Sequence, residues 1–227
     1  MKLTRTTLYS LLLLITCVGL GLVGWIGLRY RYSTLTTVES GIGFVTLLIV
    51  AAILALYRQQ ARRNQDTTGD KVLLLGLALG LIWMIEISIN NFIAPPLPAR
   101  DIIDDILWAI ISFVTLFFAV KQAYRENRFG AGVTVGIWSG FVSGLVACFM
   151  ALLVIAFGMH FILQDPLNIA EWSVRAATTD APNMATYFAF ETFAGAFAHL
   201  ILIGVIFGML LGMFGAGIGK GIKRITR

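Results

Sequence analysis

The sequence predicts an all-α, polytopic integral membrane protein: one domain over residues 1–227, six transmembrane helices, both termini cytoplasmic. Three observations predict it. Of the 227 residues 58% are apolar and 13% charged, with a mean hydropathy of +0.86, whereas soluble domains carry ~45–50% and ~25%. The apolar residues fall into six runs near span length, since a membrane helix needs ~20 of them. Lysine and arginine then favour alternate connecting stretches. This composition leaves no stretch for a large soluble catalytic domain, and it excludes disorder and a nucleic-acid-binding fold.

The first run, Leu8–Leu28, follows Lys2 and Arg5 and so has to be weighed as a signal peptide. It is longer than a typical h-region, and Arg29-Tyr30-Arg31-Tyr32 follows it where a small-residue cleavage site belongs. Cys17 suggests a lipoprotein, but Thr16 before it is a poor match and the run continues well past it. Leu8–Leu28 therefore reads as a span. The second and third runs are Gly41–Tyr57 and Val72–Ile93. The third stops before Pro95-Pro96-Leu97-Pro98, whose prolines cannot continue a helix. The fourth is Ile102–Val120, and the fifth and sixth are Val133–Leu163 and Thr186–Gly219. None alternates with period two, so each must be a helix that satisfies its own backbone amides. The fifth run, as one helix, would measure about 46 Å against a ~30 Å hydrocarbon core, so it must tilt, kink or project. No linker, second domain or convincing internal repeat is visible.

Orientation follows from charge. With the N-terminus inside, the inner stretches hold thirteen lysines and arginines and the outer stretches four, Arg29, Arg31, Arg100 and Arg175. That is the positive-inside pattern, and it places the chain in a plasma membrane of bacterial type. The inner surplus suits anionic lipid headgroups, each base near the surface contributing about 1 kcal/mol. The expected partners are thus the bilayer with anionic lipid at the cytoplasmic face, together with a second copy or a membrane partner subunit. Nucleic acid is not among them. All six tyrosines fall near span ends, where an amphipathic ring belongs.

Glycine is spaced every four residues in two spans: Gly132, Gly136, Gly140 and Gly144 in the fifth, and Gly204, Gly208 and Gly212, extended by Ala216, in the sixth. A shorter pair, Gly76 and Gly80, lies in the third. Small residues four apart form a groove that admits a neighbouring backbone, so the two long series predict antiparallel packing of the fifth and sixth spans. An interface between copies is the alternative.

Ionisable groups within spans are costly and so are candidates for function. The third span carries Glu86, Asn90 and Asn91, with Asn90 about 40° from Glu86 at 100° per residue. The sixth carries Glu191 and His199. Glu86, Asn90, Asn91, Glu191 and His199 are the expected ion, proton or solute site. Asp101, Asp104, Asp105 and His160 are assigned to an outer vestibule. Under the assigned topology most of these groups lie in the outer half, which suggests an outward-open acidic cavity that concentrates cations. The expected function is therefore a small-cation or proton-coupled transporter or channel. The alternative is a structural or accessory subunit that transports nothing and packs through its glycine seams. Asp101 also suits a helix N-cap, and Asp104 and Asp105 a first turn. His199 alone reads more readily as a hydrogen-bonded packing residue than as a ligand.

No H-E-x-x-H, G-x-S-x-G or C-x-x-C occurs, so no enzyme and no cofactor is expected. The run Gly215–Gly221 fails as a phosphate loop because Phe214 and Gly221 stand where glycine and Ser/Thr are required. Cys17 and Cys148 lie mid-span and read as small packing residues rather than a disulfide.

Overall fold

The computed structural model describes residues 4–63 and 68–225; Lys2, Asp66 and Arg227, counted in the charge pattern, lie outside them. The chain is all-helical, 89% helix, with no strand among the described residues. Its helices are α1 (Arg5–Tyr30), α2 (Thr34–Arg63), α3 (Thr68–Ser88), α4 (Ala99–Glu126), α5 (Phe129–Phe157), α6 (Met159–Ile162), α7 (Pro166–Arg175), α8 (Met184–Ala198) and α9 (Gly208–Ile225). Two π-helical segments, Ile89–Ile93 and His199–Phe207, continue α3 and α8. Six helical stretches are long and apolar enough to cross a membrane: Arg5–Tyr30, Thr34–Arg62, Asp70–Ile93, Ala99–Glu126, Phe129–Phe157 and Met184–Ile225.

The boundaries have local causes. Thr4 caps α1 by accepting a hydrogen bond from the Thr7 amide at 3.3 Å, and Ser33 does the same for the Thr36 amide at the start of α2. Pro95 disfavours right-handed helix at the residue before it. Ala94 turns left-handed (φ 46°), and its amide closes on the Ile89 carbonyl at 2.9 Å. Asn127 ends α4 in the same conformation (φ 54°), which asparagine tolerates better than most residues. Hydroxyls inside the apolar helices donate back one turn, Thr16 to Leu12 and Thr115 to Ile111, each at 2.8 Å, so their burial leaves no donor unused.

Three sequence expectations differ from the structure. The fifth run is not one helix to Leu163: α5 stops at Phe157 and Gly158 leads into the separate turn α6. The stretch 164–183, read as a polar connection, contains α7. Asp165 caps it, accepting from the Leu167 amide at 3.1 Å, and Pro166 occupies its first turn, an arrangement that suits proline because it lacks the donor. Asp101 is not the cap of α4, which begins two residues earlier, at Ala99; it lies in the first turn, where its charge still complements the helix dipole.

The chain divides into two compact units. One holds α1, α2, Ile87–Pro95 and Cys148–Phe197. Its packing is aromatic and aliphatic: Gly43 of α2 sits against the rings of Phe193 and Phe197, and Gly158 against Phe92. The other unit holds α3 up to Glu86, Pro96–Ala147 and the chain from Ala198 onward. It is built on close backbone approach. α3 settles through Gly76 and Gly80 onto Val142 and Val146 of α5. α5 meets the last helix through its glycines: Gly132 faces Ala216, Gly136 faces Gly208 and Gly212, and Gly140 and Gly144 face Gly204. A second small-residue face of α9, Gly215 and Gly219, lies on Ala119 and Ala123 of α4. The opposite face of α4 exposes a stripe of bulky apolar side chains, Ile102, Ile106, Ile110, Phe113 and Phe117. α5, rich in Gly, Ala, Ser and Val, is the most buried of the six.

Candidate functional site

The unit built on the glycine seam carries a buried polar–aromatic cluster. Trp83 of α3 is 1% exposed. Trp108 of α4 meets its ring edge-on at 4.7 Å between centroids, and His199 does so at 5.0 Å. Trp108 also meets Phe207 at 6.4 Å. Glu86, three residues beyond Trp83 and so one turn along the same helix, is buried at 8% exposure. A carboxyl held there in apolar surroundings has to exchange interaction with water for interaction with protein.

Next to the aromatic pair is a cavity of ≈ 20 Å³, lined among others by Trp83, Trp108, Ser112, Thr115 and Ser143. That is room for one water molecule, given a threshold of about 10–15 Å³. The Thr115 hydroxyl donates to the Ile111 carbonyl at 2.8 Å and that of Ser143 to the Gly140 carbonyl at 3.0 Å, so their oxygens remain able to accept.

His199 is where α8 gives way to the nine-residue π-helical segment. A π turn closes with i→i+5 bonds and so changes the angular register on either side of it, and such turns frequently mark functional positions. In a straight α-helix His199 and the Gly204 series point to nearly opposite sides. Here the seam reaches the main chain of His199, whose carbonyl oxygen a side chain on Gly144 would meet at 2.6 Å. The second π-helical segment, Ile89–Ile93, begins directly after α3 and contains Asn90 and Asn91. Both segments thus coincide with polar residues singled out from sequence.

The other predicted residues are distributed differently. Asn90, Asn91, Glu191 and His160 belong to the other unit. Asn91 spends a side-chain donor on its own helix, bonding the Ile87 carbonyl at 2.8 Å. Glu191 is exposed and within electrostatic reach of Glu39. Nearby Tyr187 donates to Glu171 at 2.8 Å. His160 is exposed on α6, its ring against Phe161 at 3.8 Å. In the seam unit, Asp101 and Asp105 are exposed and Asp104 half-buried at the start of α4. Among the described residues no three His, Cys, Asp or Glu side chains are grouped so as to hold a metal ion.

Trp108 and the hydroxyls of Ser112, Thr115 and Ser143 escape a search for charged residues. A readable signal did exist for the hydroxyls: Ser112 with Thr115, and Ser139 with Ser143, are one-turn polar pairs in apolar helices. Nothing in the sequence pairs Trp108 with Trp83.

Compared with known proteins, the chain matches no family model, no curated protein and no solved structure. Its own geometry defines the class: an all-helical protein with six helices that fit a membrane protein.

Proposed function

We propose that this is a multi-pass protein of a bacterial-type plasma membrane, with both termini cytoplasmic, that moves protons or small cations through a site centred on Glu86. Thirteen bases on one set of connecting stretches against four on the other support the orientation. The observation that carries the function is the burial of Glu86 at 8% exposure one turn from Trp83, with the His199 ring on the same indole. A buried ionisable group inside a membrane helix is expensive, and an ion or proton path is the usual reason for retaining one.

Of the two cargoes the donor set favours the proton. Desolvated hard cations such as calcium require about six to eight oxygen ligands, whereas a carboxyl and an imidazole can each hold and pass a proton. Glu86 takes up the proton and becomes neutral, His199 relays it, and the hydroxyl-lined cavity beside Trp83 offers an ordered water the next position. The rival class, an accessory subunit held to partners by its glycine seams, gains less support, because both long series are occupied within one chain.

The test is flux into reconstituted vesicles, native chain against Glu86→Gln, which keeps the shape but cannot ionise. We expect proton-driven flux to fall at least about tenfold, in line with loss of one acid–base group, with unchanged folding in detergent. Equal flux in the two proteins overturns the assignment.

A further inference from the structure

Two adjoining hollows lie where α3 begins, α4 ends and α5 begins, all within the seam unit. They measure ≈ 140 Å³ and ≈ 280 Å³ and share Lys71, Gln122 and Arg125 in their linings. The smaller is also lined by Lys121 and by the apolar side chains of Val72, Leu75, Phe118 and Val135. The larger adds Glu126, whose carboxylate accepts a hydrogen bond from Gln122 Nε2. Across the two hollows three cations thus stand against one carboxylate, and the smaller hollow has no carboxylate in its lining. The Lys121 ammonium lies over the rings of Phe117 and Phe118, at 5.9 and 5.7 Å from their centroids, which holds its charge close to the apolar lining.

The combination is amphipathic and graded along the helix axes. Lys71 and Lys121 each stand one residue outside the apolar runs Val72–Ile93 and Ile102–Val120. They therefore fall at the depth where hydrocarbon gives way to headgroups. A site for a free phosphoester would surround the anion with donors. Here cations line one end and aliphatic and aromatic carbon lines the other. Basic pockets between membrane helices at the cytoplasmic side recognise anionic headgroups.

We propose that Lys71, Lys121 and Arg125 hold the phosphate of an anionic phospholipid whose acyl chain lies along Val72, Leu75, Phe118 and Val135. The proposal rests on the reading that these helices cross a membrane, and is independent of the chemistry assigned to Glu86.

The experiment is native mass spectrometry of the detergent-purified chain titrated separately with phosphatidylglycerol, phosphatidylcholine and glycerol phosphate. The native chain should bind phosphatidylglycerol at least tenfold more tightly than phosphatidylcholine, and glycerol phosphate far more weakly than either. The double variant Lys71→Gln/Arg125→Gln should lose on the order of 30-fold in phosphatidylglycerol affinity, the scale expected for two surface bases, and with it the preference over phosphatidylcholine. Should that variant fail to fold, Lys121→Gln alone should lose about fivefold. Undiminished phosphatidylglycerol binding by the folded variants overturns the site. Glycerol phosphate binding as tightly as phosphatidylglycerol would assign the hollow to a soluble phosphoester and overturn the lipid. A chain that stays dispersed and monomeric after detergent removal would overturn the membrane reading instead.

Discussion

Substituting Gly140 by alanine places a methyl group directly against the backbone of the last helix. The new carbon would collide with the Gly204 carbonyl oxygen and come within 3.1 Å of the Gly208 Cα. Both obstacles are main chain, so no side-chain rotation relieves them and the two helices must separate. A gap of about 1 Å forfeits on the order of half the dispersion well of each facing pair. Overpacking of this kind costs roughly 1–3 kcal/mol. Alanine is also a better helix former than glycine, by ~1 kcal/mol, so the packing cost has to be read against a control that shares this gain. Gly217, on an exposed face of α9 with nothing within 4 Å of its added Cβ, is that control. Thermal unfolding in detergent should place Gly140→Ala below Gly217→Ala by roughly 2–12 °C, at ~2–4 °C per kcal/mol for a chain of this size. Gly217→Ala should match or exceed the native protein. Equal melting of the two variants would refute backbone contact along the seam.

Two further outcomes follow from the same structure. Cys148 is buried at 1% exposure, so a maleimide should leave it unmodified in the folded chain and label it only after denaturation. Mass spectrometry locates the adducts, and rapid labelling of Cys148 in the folded chain would contradict the packing around it. Asp165→Ala removes the cap of α7 and should cost about 1 kcal/mol locally. Hydrogen exchange over Leu167–Ala170 should then quicken roughly fivefold, while α5 remains protected; unchanged exchange would mean that Pro166 alone sets the helix start.

The six long apolar helices were legible residue by residue, because such runs allow few solutions. Apolar runs such as Leu8–Leu28 and Ile102–Val120 must satisfy their own amides, and this leaves only helices of span length. Pro95 and Pro96 mark a helix boundary whatever the tertiary context, since the restriction is local. The period of four in Gly132–Gly144 and Gly204–Gly212 is likewise local, because it is a property of one helix face. Which helix each face meets is not local. The structure decides that Gly204–Gly212 lie on α5 while Gly215 and Gly219 of the same helix lie on α4, and no spacing rule ranks those partners.

The same division holds at the site. Glu86 and His199 stood out because charge in an apolar run is costly wherever it occurs. Their common neighbour, Trp83, and the opposing Trp108 depend on how α3, α4 and the last helix approach one another. The π-helical segment that begins at His199 breaks the 3.6-residue period on which spacing arguments rest, so the period did not announce it. Periodicity is a property of a single helix and can be read from composition along the chain. Partner choice and register are properties of pairs of helices, and only the folded arrangement contains them.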